Sequence, residues 1–235
     1  MLGRALNRVL GFLDLKIVRR HHDQLYYQHD YGEAGFGRYR ELQIYHNKRK
    51  IDQVWADPET LGFIASWIRE HRSVPTRGLC HGARNGFEQA ELARLLGCEV
   101  IGTDISDTAT QFPNTFEWDF HDPNPEWEGQ FSFVYSNSLD QAFDPARALS
   151  TWVDQLAPEG LVFVEHTMAH SPKGSSEMDP FGAHPMIMPY LIFEWGKGRF
   201  QLEEILRPPR PKANNQLEAW IFVIGRSPRS GSDAD

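Results

Sequence analysis

Cysteine is nearly absent: Cys80 and Cys98 are the two in 235 residues. Neither belongs to a CxxC pair or to a Cys/His spacing that holds zinc, so no metal site is expected. Two isolated thiols in predicted strands suit a reducing compartment and speak against a disulfide framework. Long apolar runs are also missing, since none reaches the roughly 18 residues of a membrane span. Positive charge is in deficit. The 24 Lys and Arg face 32 Asp and Glu, for a net −8, which weighs against a broad basic face for nucleic acid. No small-residue cleavage site follows the N-terminal stretch, so a secretory leader is not expected. What is left is a globular, cytoplasmic protein, 40% hydrophobic and 24% charged, of a length that suits one domain with an extension.

The extension is residues 1–57. "MLGRALNRVLGFLDLKIVRR" places Leu2, Ala5, Leu6, Val9, Leu10 and Leu13 at helical spacing, with Arg4, Arg8, Lys16, Arg19 and Arg20 against Asp14. A cationic amphipathic helix over 1–20 either packs on its own domain or a second subunit, or lies peripherally on the inner face of an anionic membrane. Residues 21–57 are polar and aromatic without strong periodicity. Tyr26, Tyr27, Tyr31, Phe36 and Tyr39 line a pocket or cap the core. The histidines His21, His22 and His29 lack the carboxylate–histidine pattern of a metal face.

From 58 to 226 the pattern changes to alternating strands and helices. "DPETLGFIASWIREH" starts as a helix does, with an acid and Pro58. "RGLCH" reads as a buried strand, "NGFEQAELARLLG" as a helix with Asn85 as its cap and Gly97 as its stop, and "CEVIGTDIS" as the second strand. "NTFEWDF", "FSFVYSNS" and "LVFVEHT" are three more strands, with the helix "DPARALSTWVDQLAPEG" before the last. This alternation predicts an α/β, Rossmann-like, doubly wound, mostly parallel sheet of seven strands. "RFQLEEIL" and "EAWIFVIGR", joined by a Pro-rich stretch, predict an antiparallel C-terminal hairpin at its edge. The tail 227–235 reads as disordered.

Ligands of such sheets bind beyond the carboxyl ends of the strands. After the first strand comes Gly82-Ala83-Arg84-Asn85-Gly86, a glycine-bounded turn that opens a helix whose free N–H groups face a negative group. Asp104 ends the second strand, where a carboxylate suits two ribose hydroxyls. Asp119 and Phe120 follow the third strand, and suit an adenine amino group and its apolar face. Asn137, Ser138 and Asp140 follow the fourth, Glu165 and His166 the fifth. A dinucleotide turn needs glycine where Arg84 and Phe87 stand, which disfavours NAD and FAD.

Over residues 58–225 this set resembles the class I S-adenosylmethionine-dependent methyltransferases. It is similar to a bacterial variant with a GxRxGxE turn, which Gly82, Arg84, Gly86 and Glu88 match. The resemblance implies S-adenosyl-L-methionine as cofactor, with the turn (Gly82, Ala83, Arg84, Asn85, Gly86 and Glu88) toward its methionine part. It implies Asp104 and Ile105 at the ribose, Asp119 and Phe120 at the adenine, and Asn137 and Ser138 beside them. Arg84 either pairs with Glu88 to brace the turn or contacts the cofactor carboxylate. A hydroxyl acceptor benefits from a general base; His166 is the first candidate, by position and ordinary pKa, and Asp140 the second. The loop 167–185 is expected either to cover the acceptor or only to bridge two elements. The N-terminal pattern resembles methyltransferases of cell-surface glycan biosynthesis, implying a sugar or glycolipid hydroxyl, with a small metabolite next. The alternative is a non-catalytic binding protein of the same fold.

Overall fold

A computed structural model describes residues 24–227. The expected helix over 1–20 with its membrane contact, His21, His22, and the tail from 228 lie outside the described residues. The strands are β1 (Tyr26–Gln28), β2 (Arg77–His81), β3 (Glu99–Asp104), β4 (Thr115–Glu117), β5 (Phe131–Ser136), β6 (Leu156–Thr167), β7 (Phe181–Ala183), β8 (Phe200–Leu206) and β9 (Ala219–Arg226). The helices are α1 (Gly35–Arg49), α2 (Pro58–His71), α3 (Phe87–Leu96), α4 (Pro145–Asp154) and α5 (Met188–Gly196). Seven strands form one sheet in the order β4-β3-β2-β5-β6-β9-β8, and β1 pairs with β7 apart from it. From β4 to β6 every pairing is parallel. β9 runs antiparallel to both β6 and β8. The expected seven-stranded sheet with its reversed C-terminal strand is therefore present.

Side-chain alternation along the strands feeds two cores. Phe133, Tyr135, Leu161, Phe163, Ile221 and Val223 pack under α2 and α3 with Leu61, Ile64, Ile68 and Leu92. Val134, Val162, Val164, Phe222 and Ile224 face the other way, toward Leu149 and Trp152 of α4 and Leu191 and Ile192 of α5. Each fully buried Leu, Ile or Phe contributes about 1.5–3 kcal/mol. This two-sided cover keeps the carboxyl ends of the strands in place.

The helix starts show local chemistry. At α2, Asp57 accepts from Thr60 N at 3.1 Å and from Thr60 Oγ1 at 2.8 Å, and Pro58 occupies the first turn. At α3 the expected cap is corrected. Gly86, at φ +81°, holds the cap position without a side-chain bond, and Asn85 Nδ2 instead donates to Ile51 O at 2.9 Å. With Gly86 at the cap, Asn85 stands one position before it and its amide is used on Ile51 O.

Helix α1 was not expected. Its inward positions are Tyr39, Leu42, Gln43 and Asn47, a stripe at helical spacing but mostly polar. Hydrophobic periodicity does not register such a face, and Gly35 and Gly37 lower local helix propensity further. Lys48 bonds Asp107 and Arg40 bonds Glu117, so α1 is tied across the carboxyl ends of β3 and β4.

Candidate functional site

The strand order reverses between β2 and β5, the place where open α/β sheets leave a crevice. The turn after β2 enters it. Gly82 lies at φ +72°, and a Cβ there would stand 2.5 Å from Ser138 Oγ. Only glycine lets the two strand ends approach so closely. Ala83 N donates to Thr103 O at 2.9 Å. Arg84 N donates to Asp104 Oδ2 at 3.1 Å, and Ser106 N to Asp104 Oδ1 at 3.0 Å. The turn and β3 are thus latched through the Asp104 carboxylate. Burial raises the Asp104 pKa, and those two backbone donors pull against the rise.

Arg84 does not form the expected pair with Glu88. Its Nη1 donates to Gln53 O at 3.0 Å. Glu88 accepts from Asn137 Nδ2 at 3.3 Å. Helical i,i+4 geometry does not apply, because Arg84 sits at φ +38° and precedes the cap Gly86. Burial pushes Glu88 up to about 7, with its backbone, Asn137 and Arg84 opposing.

Two adjoining cavities follow the strand ends. The narrow one, of ≈ 30 Å³, runs from Gly82 past Asp104, Ile105, Asp119 and Phe120 under Tyr39, Asn47 and Met178. That is about the space of one water, so a nucleoside here requires the roof of α1 and Met178 to lift. The roof is held by Gln43 Nε2, which donates to Met178 O at 2.8 Å, and by Lys50 Nζ, 3.0 Å from Met178 Sδ. The wide cavity, of ≈ 420 Å³, holds Glu88, Asn137, Ser138, Asp140, Trp55, His170 and Asp179. Lys50, Gly82, Arg84 and Gln141 border both. Of the turn and strand-end positions singled out in the sequence, Ala83, Gly86, Glu165 and His166 line neither cavity; the others line one or both.

Asp119 Oδ1 accepts from His121 N at 2.9 Å and from His121 Nδ1 at 2.6 Å. Burial works to raise its pKa, but His121 outweighs it and holds the carboxyl below its ordinary value. Asp119 Oδ2 has no partner. Unpartnered buried polar atoms are uncommon in folded proteins. Among the described residues there are eight, and five of them belong to residues of the two cavities: His46, Trp55, Arg84, Asp119 and Asp140.

His166 lies outside both cavities. Its Nε2 donates to Ala183 O at 2.9 Å, and burial, then His170, pushes its pKa down to about 3. It is a neutral group anchoring β7 to β6 and is poorly placed as a base. Asp140 is in the wide cavity, 9% exposed, with Oδ1 unpartnered. Burial pushes it up to about 7 against its own backbone bonds, Lys50 and Arg84.

Sequence reasoning missed Lys50, Trp55 and Asp179, which stand in segments without periodicity. It also missed Lys212, fully buried in the Pro-rich connection. Lys212 pairs with Glu165, whose other oxygen accepts from Tyr135 OH at 2.7 Å. Its Nζ stands 5.3 Å from the Trp55 ring centre, and Asn214 Nδ2 donates to Trp55 O at 2.8 Å. The connection between β8 and β9 therefore fixes one cavity wall. No group of three or more His, Cys, Asp or Glu among the described residues is arranged to hold a metal ion. No helix among them is long and apolar enough to cross a membrane.

No known family model matches the sequence, and no curated protein matches it. Solved structures do match in three dimensions. The Burkholderia thailandensis 1,6-didemethyltoxoflavin-N1-methyltransferase, with bound 1,6-didemethyltoxoflavin and S-adenosylhomocysteine, is similar over 90% of this chain and 100% of its own, at TM-score 0.65 and 14% identity. The N-methyltransferase NodS of Bradyrhizobium japonicum WM9, in complex with S-adenosylhomocysteine, is similar over 79% of this chain and 98% of its own, at 0.56 and 13%. The mitomycin 7-O-methyltransferase is similar over 71% of this chain, at 0.53 and 12%; this chain spans about half of that one, 53%. The chain has the fold of the class I S-adenosylmethionine-dependent methyltransferases.

Proposed function

We propose that the protein is an S-adenosylmethionine-dependent methyltransferase acting on a small molecule. One observation carries the reading. Unpartnered buried polar atoms gather along the two cavities at the reversal point of the sheet, on a fold whose similar solved structures are methyltransferases. The residues fit the cofactor by chemistry. Asp119 Oδ2 is free to accept an adenine amino proton beside Phe120. Asp104 stands where ribose hydroxyls arrive, and the Gly82 turn admits close backbone approach. Arg84 and the start of α3 suit a carboxylate.

When bound, S-adenosylmethionine would supply an electrophilic sulfonium methyl, and an acceptor hydroxyl that takes it would have to give up its proton to a base. The chain's own part is alignment, exclusion of water and that proton. Asp140, in place of His166, receives it, because its Oδ1 is buried, unpartnered and in the wide cavity. The finer reading is O-methylation of a sugar or glycolipid hydroxyl. Calorimetric titration with S-adenosylmethionine and S-adenosylhomocysteine tests the reading. Binding of both supports it, and binding of neither sinks it. Binding without transfer to any acceptor identifies the non-catalytic alternative.

A further inference from the structure

One side of the wide cavity, with Asp140, His170, Trp55 and Asp179, is left unused by the cofactor reading. Asp140 comes from the turn after β5, and Asp179 from the loop before β7. They meet in one cavity although 39 positions separate them in the chain. The cations at its border, Lys50 and Arg84, bond Met178 Sδ and Gln53 O and act on the two carboxyls through space, without a direct ion pair to either. Asp140 Oδ1 has no partner. Asp140 Oδ2 lies 3.9 Å from His170 Nε2, too far for a direct hydrogen bond. His170 Nδ1 accepts from Thr167 N at 3.3 Å, so its proton sits on Nε2, facing Asp140. His170 is itself buried, and burial, then the charge of Lys212, holds its pKa near 3 and keeps the ring neutral. One oxygen placed within hydrogen-bond reach of both groups closes that gap.

We infer that the wide cavity is the acceptor subsite for a vicinal diol, with Asp140 and Asp179 each accepting from one hydroxyl and His170 Nε2 donating to the hydroxyl held by Asp140. The assignment rests on the proposed cofactor reading, with the nucleoside in the narrow cavity and the methionine part along the Arg84, Asn85 and Glu88 side of the wide one. An ionised carboxylate only accepts, while His170 Nε2 and the unpartnered Trp55 Nε1 and Arg84 Nε only donate, so the wall suits a ligand whose two hydroxyls can each donate and accept. An anionic acceptor would meet like charge. An amine needs less help from a base, whereas this cavity is built around one. The indole of Trp55 in the same cavity offers an apolar wall for the C–H face of a polyol. In the step itself, the O–H bond of the first hydroxyl breaks and its proton passes to Asp140 Oδ1. Burial, and for Asp179 also the charge of Asp140, pushes both carboxyls up to about 7, which suits acceptance of a proton near neutrality. Glu88 from α3 and Lys50, Arg84 and Lys212 are the other charges around the pair.

Ligand-observed saturation-transfer NMR tests this on the full chain saturated with S-adenosylhomocysteine. The probes are trans-1,2-cyclohexanediol and methyl α-mannoside, with cyclohexanol and cyclohexylamine as one-donor and cationic references. The expected result is binding of the diol and the glycoside, at least about tenfold tighter than cyclohexanol, the worth of one hydrogen bond to a charged group. Asp179→Asn is expected to remove most of that advantage while leaving cyclohexanol unchanged. Equal binding of diol and cyclohexanol, preference for the amine, or an unaltered diol affinity in Asp179→Asn overturns the assignment. The wild-type comparison stands without any variant. Failure of S-adenosylhomocysteine to bind at all overturns the underlying cofactor reading, and this subsite with it.

Discussion

Replacing Glu88 by Gln should stabilise the protein, and only at high pH. Glu88 is 6% exposed, and burial raises its carboxyl from an ordinary 4.5 to about 7. Ionising it in the folded chain therefore costs about 3 kcal/mol more than in the unfolded chain. A carboxyl with a raised folded pKa contributes fully below its unfolded value, near 4.5, and that contribution is lost as pH rises through about 7. Glutamine keeps an oxygen for Asn137 Nδ2 and never ionises. It adds an amide donor that finds no built partner, which costs about 1 kcal/mol. Glu88→Gln should then be about 2 kcal/mol more stable than wild type at pH 8, and slightly less stable at pH 4.5. For a domain of this size the gain amounts to about 4–8 °C in melting temperature. Urea denaturation of both proteins at the two pH values reads it directly. Comparing variants matters, because burial also lowers His81 to about 4 and His166 and His170 to about 3, which tilts wild-type stability the opposite way. A stability difference that does not change with pH would refute the reasoning. The same variant should bind S-adenosylmethionine more weakly, since a destabilising buried acid facing a cavity is the usual trade of stability for function.

Asp140→Asn should leave S-adenosylhomocysteine affinity intact and lower kcat by about 10²–10⁴ with a diol acceptor, the range for loss of a general base. In wild type, kcat/KM should rise with pH through about 7, as Asp140 loses its proton. His166→Gln should keep that profile and instead cost about 1–3 kcal/mol in urea unfolding, by disturbing the bond to Ala183 O. Gly82→Ala forces a methyl to 2.5 Å from Ser138 Oγ at φ +72°; calorimetry should show cofactor binding lost, with stability down by about 1–3 kcal/mol. Lys212→Met leaves the buried Glu165 carboxylate without its cation and should cost about 3–5 kcal/mol in urea.

Much of the sheet was legible because its residues report their own environment. The runs "RGLCH", "VIGTD" and "LVFVEHT" are apolar since both faces of a parallel sheet are covered. The glycine turn announces itself through φ angles that other side chains resist, and Asp104 and Asp119 follow from where their strands stop. Hidden were elements whose inward face is polar. Helix α1 turns Tyr39, Gln43 and Asn47 toward the cleft, and no hydrophobic stripe marks it. Lys212 reads in the sequence as one more surface lysine in a Pro-rich stretch.

The chain's local chemistry determined the order of motifs along the sequence, the turn at Gly82 and the acids Asp104, Asp119 and Asp140 at or just beyond the ends of β3, β4 and β5. Those depend on backbone conformation and burial period, which neighbouring residues settle among themselves. Tertiary structure alone decided what each side chain meets. It sent Arg84 to Gln53 instead of Glu88 and closed His166 onto Ala183. It brought Asp179 to Asp140 across 39 positions. Such pairings follow from how loops cross the sheet, and desolvation in the resulting cavity, not residue type, sets which of these groups can take up a proton.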